Sequence, residues 1–86
     1  MSYRIVFTKH AASEVRKLPQ EIRERIEVAL VRIRTRPFDF IDKLVGYPYY
    51  KLRIGGYRII MDVFGTDLVI LVVEVGHRKK IYKRYG

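Results

Sequence analysis

The sequence predicts an α+β domain, a helical hairpin packed on a small, mainly antiparallel four-stranded sheet. The order is β-α-α-β-β-β, followed by a basic C-terminal tail. Three observations predict it. Residues 20–33 carry apolar side chains at helical spacing, residues 49–64 form two strand-like runs about a Gly-Gly pair, and residues 68–75 are almost wholly apolar. At 86 residues the chain has room for one domain, spanning 1–86, with a small core.

Each element follows in turn. Tyr3 to Phe7 alternates with period two and reads as a first strand with Tyr3, Ile5 and Phe7 inward. Thr8 suits a helix N-cap, and Ala11, Val15 and Leu18 then share one face of a short helix. Pro19 stands where a second helix can begin without losing a hydrogen bond. Ile22, Ile26, Ala29, Leu30 and Ile33 form its apolar stripe, and Pro37 ends it. Residues 38–48, with Gly46 and Pro48, read as an irregular connection. Tyr49 to Ile54 and Tyr57 to Phe64 then form a hairpin about Gly55-Gly56, whose glycines suit a two-residue primed turn. The run from Leu68 to Val75 suits a central strand covered on both faces. Gly76 opens the tail, His77 to Gly86, with five cations and no acid.

Charge narrows the function classes. Eighteen Lys and Arg against nine Asp and Glu give a net charge of +9 and a pI near 10.1. Such a field attracts polyanions, nucleic acid first. The excess is uneven: residues 1–42 hold nine basic and six acidic side chains, residues 43–86 nine and three. With no cysteine there is no disulfide framework or thiolate chemistry, and two histidines are too few for a typical zinc site. The longest apolar run, Leu68 to Val73, is far short of a membrane span. The opening Met-Ser-Tyr-Arg-Ile has no apolar signal segment, so the expectation is a cytoplasmic chain.

The hairpin register concentrates the charge. With Gly55-Gly56 as the loop, Arg53 lies directly opposite Arg58, and Lys51 projects from the same face as Arg53. Like charges directly opposite destabilise a sheet, so the pair either splays into solvent or forms a phosphate pocket with forked donors. Tyrosines are interleaved with these cations. Tyr50 and Tyr57 fall on the apolar side of the hairpin, whereas Tyr49 and Tyr82 are placed to contact unstacked bases.

No Ser/His/Asp arrangement, phosphate loop or paired loop carboxylates are present, and Asp39 and Asp42 have no third metal ligand nearby. His10 reads as a surface residue, and His77 as either a strand-end residue or a member of a site. Lysine, arginine and tyrosine remain. They suffice to cleave RNA, because the ribose 2′-hydroxyl is itself the nucleophile. The protein must take its proton, stabilise charge on the phosphorane and protonate the leaving 5′-oxygen. No cofactor is called for.

The runs Tyr50-Lys51-Leu52-Arg53-Ile54-Gly55-Gly56-Tyr57-Arg58-Ile59-Ile60 and Val75-Gly76-His77-Arg78-Lys79-Lys80-Ile81-Tyr82 resemble the RelE branch of the RelE/ParE toxin superfamily. Leu18-Pro19 between the helices and Arg36-Pro37 after them extend the similarity over essentially the whole chain. The resemblance implies a RelE-like fold and the toxin of a type II toxin–antitoxin pair. It implies a ribosome-dependent, metal-independent endoribonuclease that cuts mRNA in the A site and so inhibits translation. The products would be 2′,3′-cyclic phosphate and 5′-hydroxyl ends. Carried over, Lys51, Arg58, Arg78 and Tyr82 are the catalytic set, with Arg53, Tyr49, His77, Lys79 and Lys80 as RNA-binding residues. The best-known members have a second lysine where this chain has Tyr49, and their segment between Arg78 and Tyr82 is longer, so the general base is not named by the resemblance.

Two alternatives stand beside it: a ParE-like gyrase-inhibiting toxin of the same fold, and a non-catalytic basic module that binds RNA or the ribosome. For either toxin the implied partner is a cognate acidic antitoxin in a hetero-oligomer. The tail has only Ile81 as a strongly apolar residue, so the antitoxin is expected to displace it at modest cost.

Overall fold

The computed structural model describes residues 1–85, and Gly86 lies outside the described residues. The elements are β1 (Arg4–Phe7), α1 (Lys9–Arg16), α2 (Gln20–Ile33), β2 (Asp42–Lys43), β3 (Tyr50–Ile54), β4 (Tyr57–Phe64), β5 (Val69–His77) and α3 (Arg78–Tyr85). One mixed sheet runs in the order β1-β5-β4-β3-β2; β1 pairs parallel to β5 and every other pair is antiparallel.

Three expectations change. The sheet has five strands, not four, because Asp42 and Lys43 pair with Lys51 and Tyr50 at its far edge. The tail is a helix, and β5 runs through Gly76 to His77 before it begins. β1 is half-buried rather than cleanly alternating, and Phe7 is exposed, because β1 is the opposite edge strand.

The helical hairpin forms for the reasons its sequence suggests. Thr8 is extended at the N-cap, and its hydroxyl accepts a hydrogen bond from the Ala11 amide at 3.1 Å. Pro19 caps α2 from outside, its carbonyl accepting from the Ile22 and Arg23 amides. The buried stripe Ile26, Leu30 and Ile33 packs with Ala11 against Leu52, Ile54, Ile59, Met61, Ile70, Val72 and Val75 of the sheet. This is the main core.

The other face has a smaller core of Leu44, Ile60 and Ile81, flanked by Tyr49, Val73 and Tyr85. Ile81 anchors α3 there. A β-bulge prepares the ground: Ile60 pairs with Glu74 and Met61 with Val72, leaving Val73 the extra residue. Val72 and Val75 therefore both face α1 and α2, while Val73 and Glu74 face α3. A bulge reverses the facing of every residue beyond it, and here it turns a carboxylate toward the helix.

Candidate functional site

The hairpin turn has the expected two-residue loop, with Ile54 opposite Tyr57 and Arg53 opposite Arg58. Gly55 has φ of +55° and is the only loop residue at positive φ, the requirement of a type II′ turn. Lys51, Arg53 and Arg58 consequently project from the face opposite the main core. Arg78 joins them because its amide donates to the Gly56 carbonyl at 2.8 Å, seating the first turn of α3 beside the hairpin. Gly76 leaves room for the Lys80 side chain, whose Cδ would stand 3.2 Å from a Cβ there.

These residues enclose a groove of about 300 Å³, at the small end of ligand-site sizes, lined by Lys51, Arg53, Arg58, Arg78 and Tyr82. Lys43, Leu44, Val45, Ile81 and Tyr85 complete its wall. Four of the groove residues are cations from the site set, and among the described residues no carboxylate lines it. Arg58 is the deepest, only 9% exposed, with Nη1 donating to the carbonyls of Gly55 (2.9 Å) and Tyr57 (2.8 Å). Burial first, then the charges of Arg53 and Arg78, pull its pKa below the ordinary arginine value. The guanidinium stays protonated, so the groove holds an incompletely compensated charge that an anion would relieve.

Other candidates lie elsewhere. His77 pairs with Tyr57 and meets its ring edge-on at 5.7 Å between centroids, on the α1/α2 face of the sheet. Strand alternation separates it from the groove, and its Nδ1 accepts from the Lys79 amide. Lys79 is exposed and does not line the groove. Lys80 turns toward α1 and pairs with Glu14. Tyr49 is on the correct face but packs half-buried against the small core, 6.4 Å from the Tyr85 ring. Tyr82, 64% exposed, stands at the groove. Tyr50 packs against the main core and Phe38. Asp39 is paired with Arg36, and His10 lies 3.3 Å from Glu14.

The sequence reading missed Tyr85 and the loop residues Leu44 and Val45. Tyr85 shows no strand or motif signal, but its spacing of four from Ile81 is that of one helix face. A larger groove, about 600 Å³, lies between β1 and the helices, with Ile5, Phe7, Val15, Ile26 and Leu30 in its wall. Its Arg16 and Arg23 are accompanied by Glu24 and Glu27, whereas the cations of the smaller one have no carboxylate beside them among the described residues, and the chemistry is assigned there.

The comparisons with known proteins follow this architecture. Residues 5–82 match the family model described as the ParE toxin of the type II toxin–antitoxin system parDE. The mRNA interferase toxin RelE of Escherichia coli K12 is 35% identical over 83 residues, covering 93% of this chain and 87% of the relative. A RelE toxin of Methanocaldococcus jannaschii is 31% identical over 86 residues, covering 92% and 94%. A mutant form of E. coli RelE solved in the free state superposes with a TM-score of 0.79 at 34% identity, covering 99% of this chain and 95% of that one. A chain of the intact E. coli RelBE toxin–antitoxin complex gives 0.77 at 32% identity, covering 87% and 95%. The fold and groove define a class of small basic α+β proteins with a cluster of cations on one face of a sheet. The chain belongs to the RelE/ParE toxin superfamily of type II toxin–antitoxin systems. Among the described residues no helix is long and apolar enough to cross a membrane.

Proposed function

We propose that this toxin is an mRNA endoribonuclease of the RelE type, cutting message in the ribosomal A site and thereby stopping translation. The observation that carries the reading is the convergence of Lys51, Arg53, Arg58, Arg78 and Tyr82 on one groove whose lining holds no carboxylate among the described residues. On this reading the 2′-oxygen attacks phosphorus and the bond to the 5′-oxygen breaks. Lys51, as its neutral amine, is the group that takes the 2′-hydroxyl proton, and the departing 5′-oxygen takes a proton from water. Arg58 and Arg78 stabilise the added phosphorane charge, the contribution that preorganised donors make best. Arg53 holds flanking phosphate, and Tyr82 offers a ring face to an unstacked base.

A groove of cations repels a divalent metal, so the residues favour a metal-independent reaction. Products are 2′,3′-cyclic phosphate and 5′-hydroxyl ends. The partner is an acidic antitoxin, supported by the net charge of +9 and by RelE–RelB complexes among similar structures. The test is mRNA on purified programmed ribosomes, in magnesium buffer with transition metals chelated. Cleavage within the A-site codon bearing those ends is expected; intact message overturns the reading. The ParE name of the matched family model favours a second reading, inhibition of gyrase. Loss of supercoiling without RNA cleavage would select it.

A further inference from the structure

Two carboxylates that play no part in the cleavage chemistry lie beneath α3. Glu74 is 3% exposed, and the bulge at Val73 turns it toward the helix. Its Oε2 accepts from Nη1 of Arg84 at 2.9 Å and its Oε1 from the Tyr85 hydroxyl at 2.8 Å. Glu14 comes from α1, with its side chain 10% exposed. Its Oε1 accepts from the Val75 amide at 2.9 Å, beyond the end of β1 on that edge of β5, and its Oε2 pairs with Lys80. Carboxylate oxygens of Glu14 and Glu74 and a ring nitrogen of His10 all lie within 4.8 Å of one another.

Two carboxylates this close repel, and a buried one cannot be left unpaired without a large penalty. α3 supplies the compensation, Lys80 to one and Arg84 with Tyr85 to the other. The pairing is reciprocal: Glu74 raises the Arg84 pKa, and burial followed by the Glu74 hydrogen bond raises that of Tyr85. The same helix presents Arg78 and Tyr82 to the groove. Lys80, Arg84 and Tyr85 therefore fasten the helix, while Arg78 and Tyr82, on its groove side, act.

We propose that Glu74 and Glu14 are positioning residues of the groove, a two-carboxylate clamp that holds α3 so that Arg78 and Tyr82 stay beside Arg58. The role of the clamp in cleavage rests on the endoribonuclease reading above, but the clamp itself is a property of the fold. It also replaces the expectation of a loosely held tail: displacing α3 breaks the Glu74 contacts to Arg84 and Tyr85 and uncovers Ile81, so a partner that moves it must offset those losses.

The experiment compares Glu74→Gln and Glu14→Gln with wild type and with Glu27→Gln on exposed α2 as control. In single-turnover cleavage on programmed ribosomes, Glu74→Gln should lower the saturating rate roughly 10–100-fold, the scale of a misplaced reacting group. Half-saturation should change by less than about two-fold, because Lys51 and Arg53 remain on the sheet. Glu14→Gln should act in the same direction and less, since Lys80 is half exposed. With Arg78 and Tyr82 both replaced by Ala, Glu74→Gln should cause no further loss, because the clamp works only through those residues. A loss of undiminished size in that background overturns the proposal. Hydrogen exchange reads the clamp without any cleavage: amides 78–85 should exchange faster in Glu74→Gln while β3 to β5 stay protected. Unchanged exchange in α3, or protection lost throughout the sheet, overturns it too. Wild type that fails to cut mRNA defeats the endoribonuclease reading alone, and the exchange result still judges the clamp.

Discussion

The two faces of the sheet obey opposite rules. Toward α1 and α2, Ile59, Met61, Ile70 and Val72 are fully buried, and the apolar surface they remove from water favours the fold. On the other face Arg53 stands opposite Arg58 with Lys51 beside them, where directly opposed like charges cost ~0.2–1 kcal/mol. A structural hairpin has no use for that arrangement. On the proposed reading, function resides on the face whose residues conflict with stability, supported by the face whose residues do not.

The largest expected effect is on the groove face. Arg58→Ala should lower cleavage by roughly 10²-fold or more, as removal of a transition-state charge stabiliser does. The chain should still fold, since two hydrogen bonds to turn carbonyls are what it loses; circular dichroism together with the ribosome assay checks both halves. On the core face, Ile59→Val should do the reverse. It should cost about 0.5–1.5 kcal/mol in denaturant unfolding while cleavage per folded molecule stays at wild type. An equal loss of activity there would erase the division between faces.

Arg53→Thr sharpens the comparison because its two effects have opposite signs. Stability should rise by ~0.2–1 kcal/mol as the like-charge pair is removed, and cleavage below saturation should fall. That deficit should narrow as salt is raised, because a phosphate contact has been lost. The smallest effect concerns Tyr85. Its folded pKa is raised, so above pH 10.0, the ordinary tyrosine value, the unfolded chain loses the phenol proton while the folded chain keeps it. Its contribution to stability is full below that pH and declines as pH rises above it. Thermal unfolding followed from pH 9 to 11 should therefore fall less steeply in Tyr85→Phe than in wild type.

Legibility in the sequence followed the same division. α2 and the hairpin were readable because one apolar period fixes each, and two glycines fix the loop and hence the Arg53–Arg58 register. β2 was not, since two residues in a Pro- and Gly-containing connection carry no periodicity. α3 was hidden by composition: its apolar contacts are Ile81 and Tyr85, and what fastens it otherwise is a carboxylate on β5. That carboxylate was unreadable in turn, because only the bulge decides which face Glu74 takes. His77 adjoins Arg78 in the sequence, but it is the last residue of β5 and faces away from the groove, whereas Arg78 opens α3 beside it.

The parallel pairing of β1 with β5 has a consequence for the order of assembly. Arg4 meets Val69, so the first strand synthesised waits for the last, and β5 is also the strand between β1 and β4. Such long-range closure is slow relative to helix and hairpin formation. A nascent chain that has reached only β4 has Lys51, Arg53 and Arg58 on a short β2-β3-β4 ribbon, with neither β5 nor α3. The groove is therefore completed in a single late event during synthesis, and an interrupted translation product carries the arginine pair without Arg78 and Tyr82.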